Sequence, residues 1–93
     1  MAQFTVRVEL HDAAWADYDR LHIAMERKGF SRLITAYDGR KYHLPLAEYD
    51  ASGNVTSTRV LEIAREAADS TGKQNAVLVT EASNRVWSGL EQA

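Results

Sequence analysis

From Gln3 to Leu10 the chain alternates. Phe4, Val6, Val8 and Leu10 fall on one side of an extended segment, and Thr5, Arg7 and Glu9 fall on the other. A period of two marks a strand with one buried face. The period then changes: Ala14, Tyr18, Leu21 and Met25 recur at helical spacing, flanked by Trp15, His22 and Ala24. That pattern predicts an amphipathic helix reaching about Lys28. Asp12 is its candidate N-cap, because a carboxylate there accepts from the free amides of the first turn. Gly29 is the expected stop, since glycine takes the left-handed conformation cheaply. Arg27 and Lys28 suit the negative end of the helix dipole.

Phe30–Tyr37 reads as a second strand, with Phe30, Leu33 and Ile34 turned inward. Asp38-Gly39 is a hairpin signal, the favoured two-residue turn wanting positive φ at both central positions. Lys41–Tyr49 follows as a third strand. Pro45 has no amide hydrogen, so that strand should lie at an edge or carry a bulge. Ala51–Asn54 reads as a loop. Thr56–Ser70 is a second helix with Val60, Leu61, Ala64, Ala67 and Ala68 as its buried stripe. The alanines imply close approach to the sheet or to the first helix. Ala76–Ala82 is a fourth strand, whose unbroken Ala-Val-Leu-Val suits a well-buried position. The order strand, helix, strand, strand, helix, strand predicts one α+β domain over residues 1–93. It is a ferredoxin-like βαββαβ unit, an antiparallel sheet with both helices on one face. The tail from Ser83 to Ala93 exceeds what that fold needs. Its Val86, Trp87 and Leu90 either form a short extra strand over an edge or reach a second subunit. A Pro-bearing edge and an aromatic tail favour a homodimer, in which a second copy covers an open edge.

Composition narrows the field. The 93 residues suit one modest core. A net charge of −2 argues against strong non-specific nucleic-acid binding but leaves room for a local basic patch. Without cysteine there is no disulfide, thiol catalysis or thiolate metal site. No apolar run approaches the roughly 20 residues of a membrane span. The N-terminal segment is an amphipathic strand rather than an apolar leader. The expectation is a cytoplasmic chain with no membrane partner.

The chemistry-bearing residues have competing readings. His11 and Asp12 stand where the first strand meets the first helix, where a carboxylate serves as a metal ligand or simply as the cap. Arg20 and His22 point about 200° apart on the helix, so they do not share one narrow face. His22, beside the apolar stripe, is a general base or a partly buried structural histidine. Arg20 is most simply a solvated residue, within reach of Asp17 at i,i+3. Arg7, Arg32 and Lys41 fall on strands, with Arg40 in the connecting turn, and Tyr42 and His43 lie beside them. A basic surface interleaved with the rings of Tyr37, Tyr42 and His43 suits single-stranded RNA; a solvated face or a dimer contact is the plainer reading. There is no Gly-rich phosphate loop, nucleophile elbow or zinc-ligand spacing, and neither a metal nor a small-molecule cofactor is expected.

One resemblance covers nearly the whole chain. Phe4-Thr-Val-Arg-Val-Glu-Leu-His11, Tyr18 to Ser31, Lys41-Tyr-His-Leu-Pro-Leu-Ala-Glu-Tyr49, Thr71-Gly-Lys73 and Val77-Leu-Val-Thr-Glu81 carry it. These stretches resemble the small bacterial family that includes the GhoS-type antitoxins of type V toxin–antitoxin systems, and are closest to an enterobacterial branch of it. The resemblance implies a ferredoxin-like fold and an endoribonuclease that silences the mRNA of a small membrane toxin. It also implies that basic residues in the middle of the first helix support activity. Arg20 keeps that residue type, while His22 stands where the family has an arginine. In that reading Arg20 stabilises the developing phosphorane charge, and His22 or His11 moves protons. The contrasting reading is a non-catalytic dimeric binding module whose sheet edge and tail contact a protein partner.

Overall fold

The computed structural model describes residues 1–93. Seven elements follow one another: β1 (Ala2–Leu10), α1 (Trp15–Arg27), β2 (Leu33–Thr35), β3 (Lys41–His43), β4 (Glu48–Gly53), α2 (Ser57–Asp69) and β5 (Asn75–Ala82). The architecture is α+β, in ferredoxin-like order, with an antiparallel sheet. β1 lies at the centre, paired with β4 on one side and β5 on the other. β2 and β3 form a separate hairpin, joined to the sheet through a bridge between Ser31 and Asp50.

The alternation of β1 is realised fully. Phe4, Val6 and Val8 are completely buried and join Leu21 and Met25 of α1, Tyr49 of β4, and Val60, Ala64, Ala67 and Ala68 of α2 in one core. The alanines let α2 lie close to the strands beneath it, since a methyl side chain adds little thickness between layers. Thr56 caps α2, its Oγ1 accepting from the Arg59 amide at 3.1 Å. Gly29 closes α1 at φ +92°, as its position past the last turn requires.

Five local readings need correction. Asp12 does not cap α1. It sits at φ +50° in the turn before the helix, and Ala14 is the N-cap residue. Alanine has no acceptor to offer, so the carboxylate of Asp17 reaches back instead and takes the Ala14 amide at 2.9 Å. The Asp38-Gly39 hairpin has positive φ only at Gly39. Gly39 N–H donates to Ala36 and Ala36 N–H donates to Arg40, which makes a three-residue loop rather than a two-residue one. The third strand breaks into β3 and β4 across Leu44–Ala47. Pro45 cannot donate, its carbonyl accepts from the Glu48 amide, and Ala47 turns to φ +70°. Ala51–Gly53 is strand, not loop, because it pairs with Ala2–Phe4. Finally, β5 is an edge strand. Its Val77 and Val79 are half-buried, while Leu78 is 63% exposed, because helices cover only one face of the sheet there.

The tail returns across the hairpin. Glu91 carbonyl accepts from the His43 amide, and Ala93 N–H donates to the Lys41 carbonyl, flanking a bridge between Tyr42 and Gln92. The tail thus adds a short extended segment to the open side of β3. Trp87 packs edge-on against Tyr42 with ring centroids 5.7 Å apart.

Candidate nucleic-acid interface

Five of the six residues singled out for RNA contact lie on the hairpin segment between Arg32 and His43. The turn holds their register: Gly39 supplies the left-handed residue, and the Asp38 carboxylate accepts from the Arg40 amide at 2.9 Å. Strand alternation then divides the side chains. Lys41 and His43 are exposed on one face of β3, opposite Thr35 and Leu33. Tyr42 turns to the other face and meets Trp87. Arg32, exposed, lines a groove of about 480 Å³ with His43, Ser31 and Glu26. Arg7 stands apart, exposed on the helix-free face of β1 beside Glu9 and Leu78.

Behind the Arg32 groove sits a buried polar pair. His22, in the middle of α1, is 7% exposed, and its Nδ1 shares a 2.7 Å hydrogen bond with the hydroxyl of fully buried Tyr49. Burial pushes the imidazole below its ordinary pKa, and the nearby Arg32 charge acts in the same direction. Burial raises the Tyr49 hydroxyl well above the usual tyrosine range, so it stays protonated. The pair is therefore neutral at physiological pH, an arrangement that the interior tolerates because each polar atom serves the other.

Arg20, His22 and His11 are held by different partners. The Arg20 guanidinium, half exposed, pairs with Asp17. Asp17 also lies 3.8 Å from Lys73 Nζ. The Ala14 amide, with Lys73 and Arg20 beside it, draws its carboxyl below the usual range against the opposing effect of burial. His11 is exposed and faces Glu9 at 3.5 Å. Asp12 offers its backbone carbonyl to Lys73 Nζ at 3.0 Å. No cluster of three or more His, Asp or Glu side chains is placed to hold a metal ion.

Arg85 is the organising residue that the sequence pattern does not flag. It reaches from the tail over the helix-free face, donating to Asp50 at 2.7 Å, to Thr5 Oγ1 and Gln3 Oε1 at 3.3 Å, and to the Phe4 carbonyl at 3.4 Å. The tail drew notice only for its apolar residues, and an arginine in an irregular segment has no periodicity to betray a partner 35 positions away. The available sequence signal is Asp50 itself, which falls on the polar side of β4 next to buried Tyr49.

No helix is long and apolar enough to cross a membrane. No family model matches the chain, and no curated protein matches it with significant similarity.

Proposed function

We propose that this chain is an RNA-directed antitoxin of the GhoS type that grips single-stranded RNA through the β2–β3 hairpin. The observation that carries the reading is the placement of Arg32, Arg40, Lys41 and His43, all exposed, on one hairpin segment of a protein whose net charge is negative. Local cations on a hairpin attract phosphate without the uniform basic surface that would bind any nucleic acid. Fluorescence anisotropy with single-stranded RNA at several salt concentrations tests it. The triple variant Arg32→Ala, Arg40→Ala, Lys41→Ala is expected to weaken binding and to flatten the salt dependence by roughly two to three released counterions. Equal affinity of the wild type and the variant overturns the hairpin as the interface.

The finer reading adds cleavage, with Arg20 on the developing charge and the exposed His11 moving protons, since His22 is buried against Tyr49. Arg20 is the cleaner probe, since its half-exposed side chain leaves the core untouched. Arg20→Ala is expected to slow cleavage of a structured RNA strongly and to leave the denaturation midpoint nearly unchanged. Equal cleavage by both proteins removes Arg20 from the mechanism.

A second reading rests on β5. Its outer edge has no strand beside it, and Leu78 stands exposed in its middle. An eight-residue open edge suits a non-catalytic module that pairs with a second copy or with another protein's strand. Sedimentation showing a monomer at high concentration rejects the homodimer.

A further inference from the structure

The tip of the hairpin and the start of the tail, far apart in sequence, enclose a pocket of about 390 Å³ on the helix-free side. Tyr37 and Trp87 both line it, as do Gln3, Asn84 and Arg85. Tyr37 is fully exposed, an unusual position for a large ring in a folded chain, while Trp87 is half-buried and steadied by Tyr42. Arg85 is fixed at the pocket wall by Asp50, and the oxygen of Gln3 accepts from it. Lys41 is the register partner of the lining residue Thr35, and Arg40 precedes it on the hairpin with its guanidinium 3.5 Å from Asp38.

We propose that this pocket receives one unpaired nucleobase of a bound RNA strand, stacked against Trp87 and Tyr37, while Arg40 and Lys41 meet the phosphates beside it. The inference rests on the RNA-binding reading and gives it a base subsite on residues that the hairpin alone does not supply. The chemistry fits a base better than a hydrocarbon. Two aromatic surfaces offer stacking to any π-face. The Asn84 and Gln3 amides each combine donor and acceptor character, which matches a base edge. The guanidinium of Arg85 is already oriented, so little ordering cost falls on binding.

The test uses the full chain carrying Trp15→Phe, which removes the other, exposed indole and leaves Trp87 as the only tryptophan. Short single-stranded RNA, the same strand with abasic positions, and free nucleoside monophosphates are titrated while Trp87 emission is followed. Intact RNA is expected to quench Trp87 saturably, and abasic RNA to bind without that quenching. Tyr37→Ala, at a site with no packing to lose, is expected to weaken intact RNA roughly 5- to 100-fold and to leave abasic RNA unchanged. RNA binding that depends on Arg40 and Lys41 but leaves Trp87 unquenched overturns the pocket and keeps the hairpin interface. Free nucleotides that saturate at lower concentration than the strand overturn the RNA assignment in favour of a nucleotide site. No binding of any RNA removes both the pocket and the reading on which it rests.

Discussion

The two faces of β1 are built by different forces. Beneath the helices, the side chains of Phe4, Val6 and Val8 are fully buried in the one apolar core. On the opposite face, Gln3 and Thr5 meet the Arg85 guanidinium and Arg7 is open to water. Burial of apolar area is strong and non-directional, whereas the Arg85 contacts are few and depend on geometry. The contrast separates tasks. Stability resides on the helix side, and the helix-free side can present polar groups and pockets without weakening the core.

The largest test of that separation is Phe4→Ala. It should lower stability by about 3–5 kcal/mol, read as a shift in the denaturant midpoint. A small shift would mean that the helix-free face shares the burden. Ala64→Leu attacks the same side by overfilling it and should cost about 1–3 kcal/mol, because Ala64 is fully buried on the inner face of α2. An unchanged midpoint would show that the layer between helix and sheet can expand.

The His22–Tyr49 pair lets pH probe the helix side alone. Tyr49→Phe leaves the imidazole nitrogen without its buried partner and should cost about 1–3 kcal/mol. In the wild type, His22 titrates below 6.5 when folded and near that ordinary value when unfolded. Between the two values the unfolded chain binds more protons. The contribution is therefore fully present above about pH 6.5 and is lost as the pH falls through that window toward the depressed folded value. Denaturation midpoints measured from pH 7.5 to 5 should decline, and His22→Gln should flatten the decline. An equally steep curve in that variant would assign the loss to other groups.

Changes to the other face should be milder. Arg85→Ala removes the bond to Asp50 and should cost about 0.5–1.5 kcal/mol, with local loss of amide protection in the tail rather than in β1. A global loss of protection would show that the tail is part of the core. Arg7→Ala, exposed beside Glu9 and Leu78, should stay within about 0.5 kcal/mol of the wild type by thermal unfolding. A larger loss would place Arg7 in a contact that the face does not otherwise display.

Much of the framework was legible residue by residue. The alternation from Phe4 to Val8, the Gly29 stop, the Thr56 start of α2 and the alanine stripe all reflect local periodicity and capping, which depend on neighbours within a few residues. Pro45 marked an edge or a bulge for the same reason, since its missing amide is a property of the residue alone, but the full break into β3 and β4 went beyond that reading. What resisted reading depended on distant partners. Asp17 displaced Asp12 as the helix-start acceptor because the chain enters α1 through a left-handed turn at Asp12. The apolar run of β5 looked interior, yet its burial was set by how many strands and helices happened to cover it.

The candidate site divides along the same line. The sequence by itself placed Arg32, Arg40, Lys41, Tyr42 and His43 on one hairpin segment, because the Asp38-Gly39 turn signal is local. The Arg20–Asp17 pair follows from i,i+3 spacing on one helix, whereas tertiary structure alone decided that His22 would be sealed against Tyr49. It alone brought the tail back so that Trp87, Asn84 and Arg85 face Tyr37 across one pocket. Periodicity records which side of an element a residue occupies; only the packing of elements records what stands opposite.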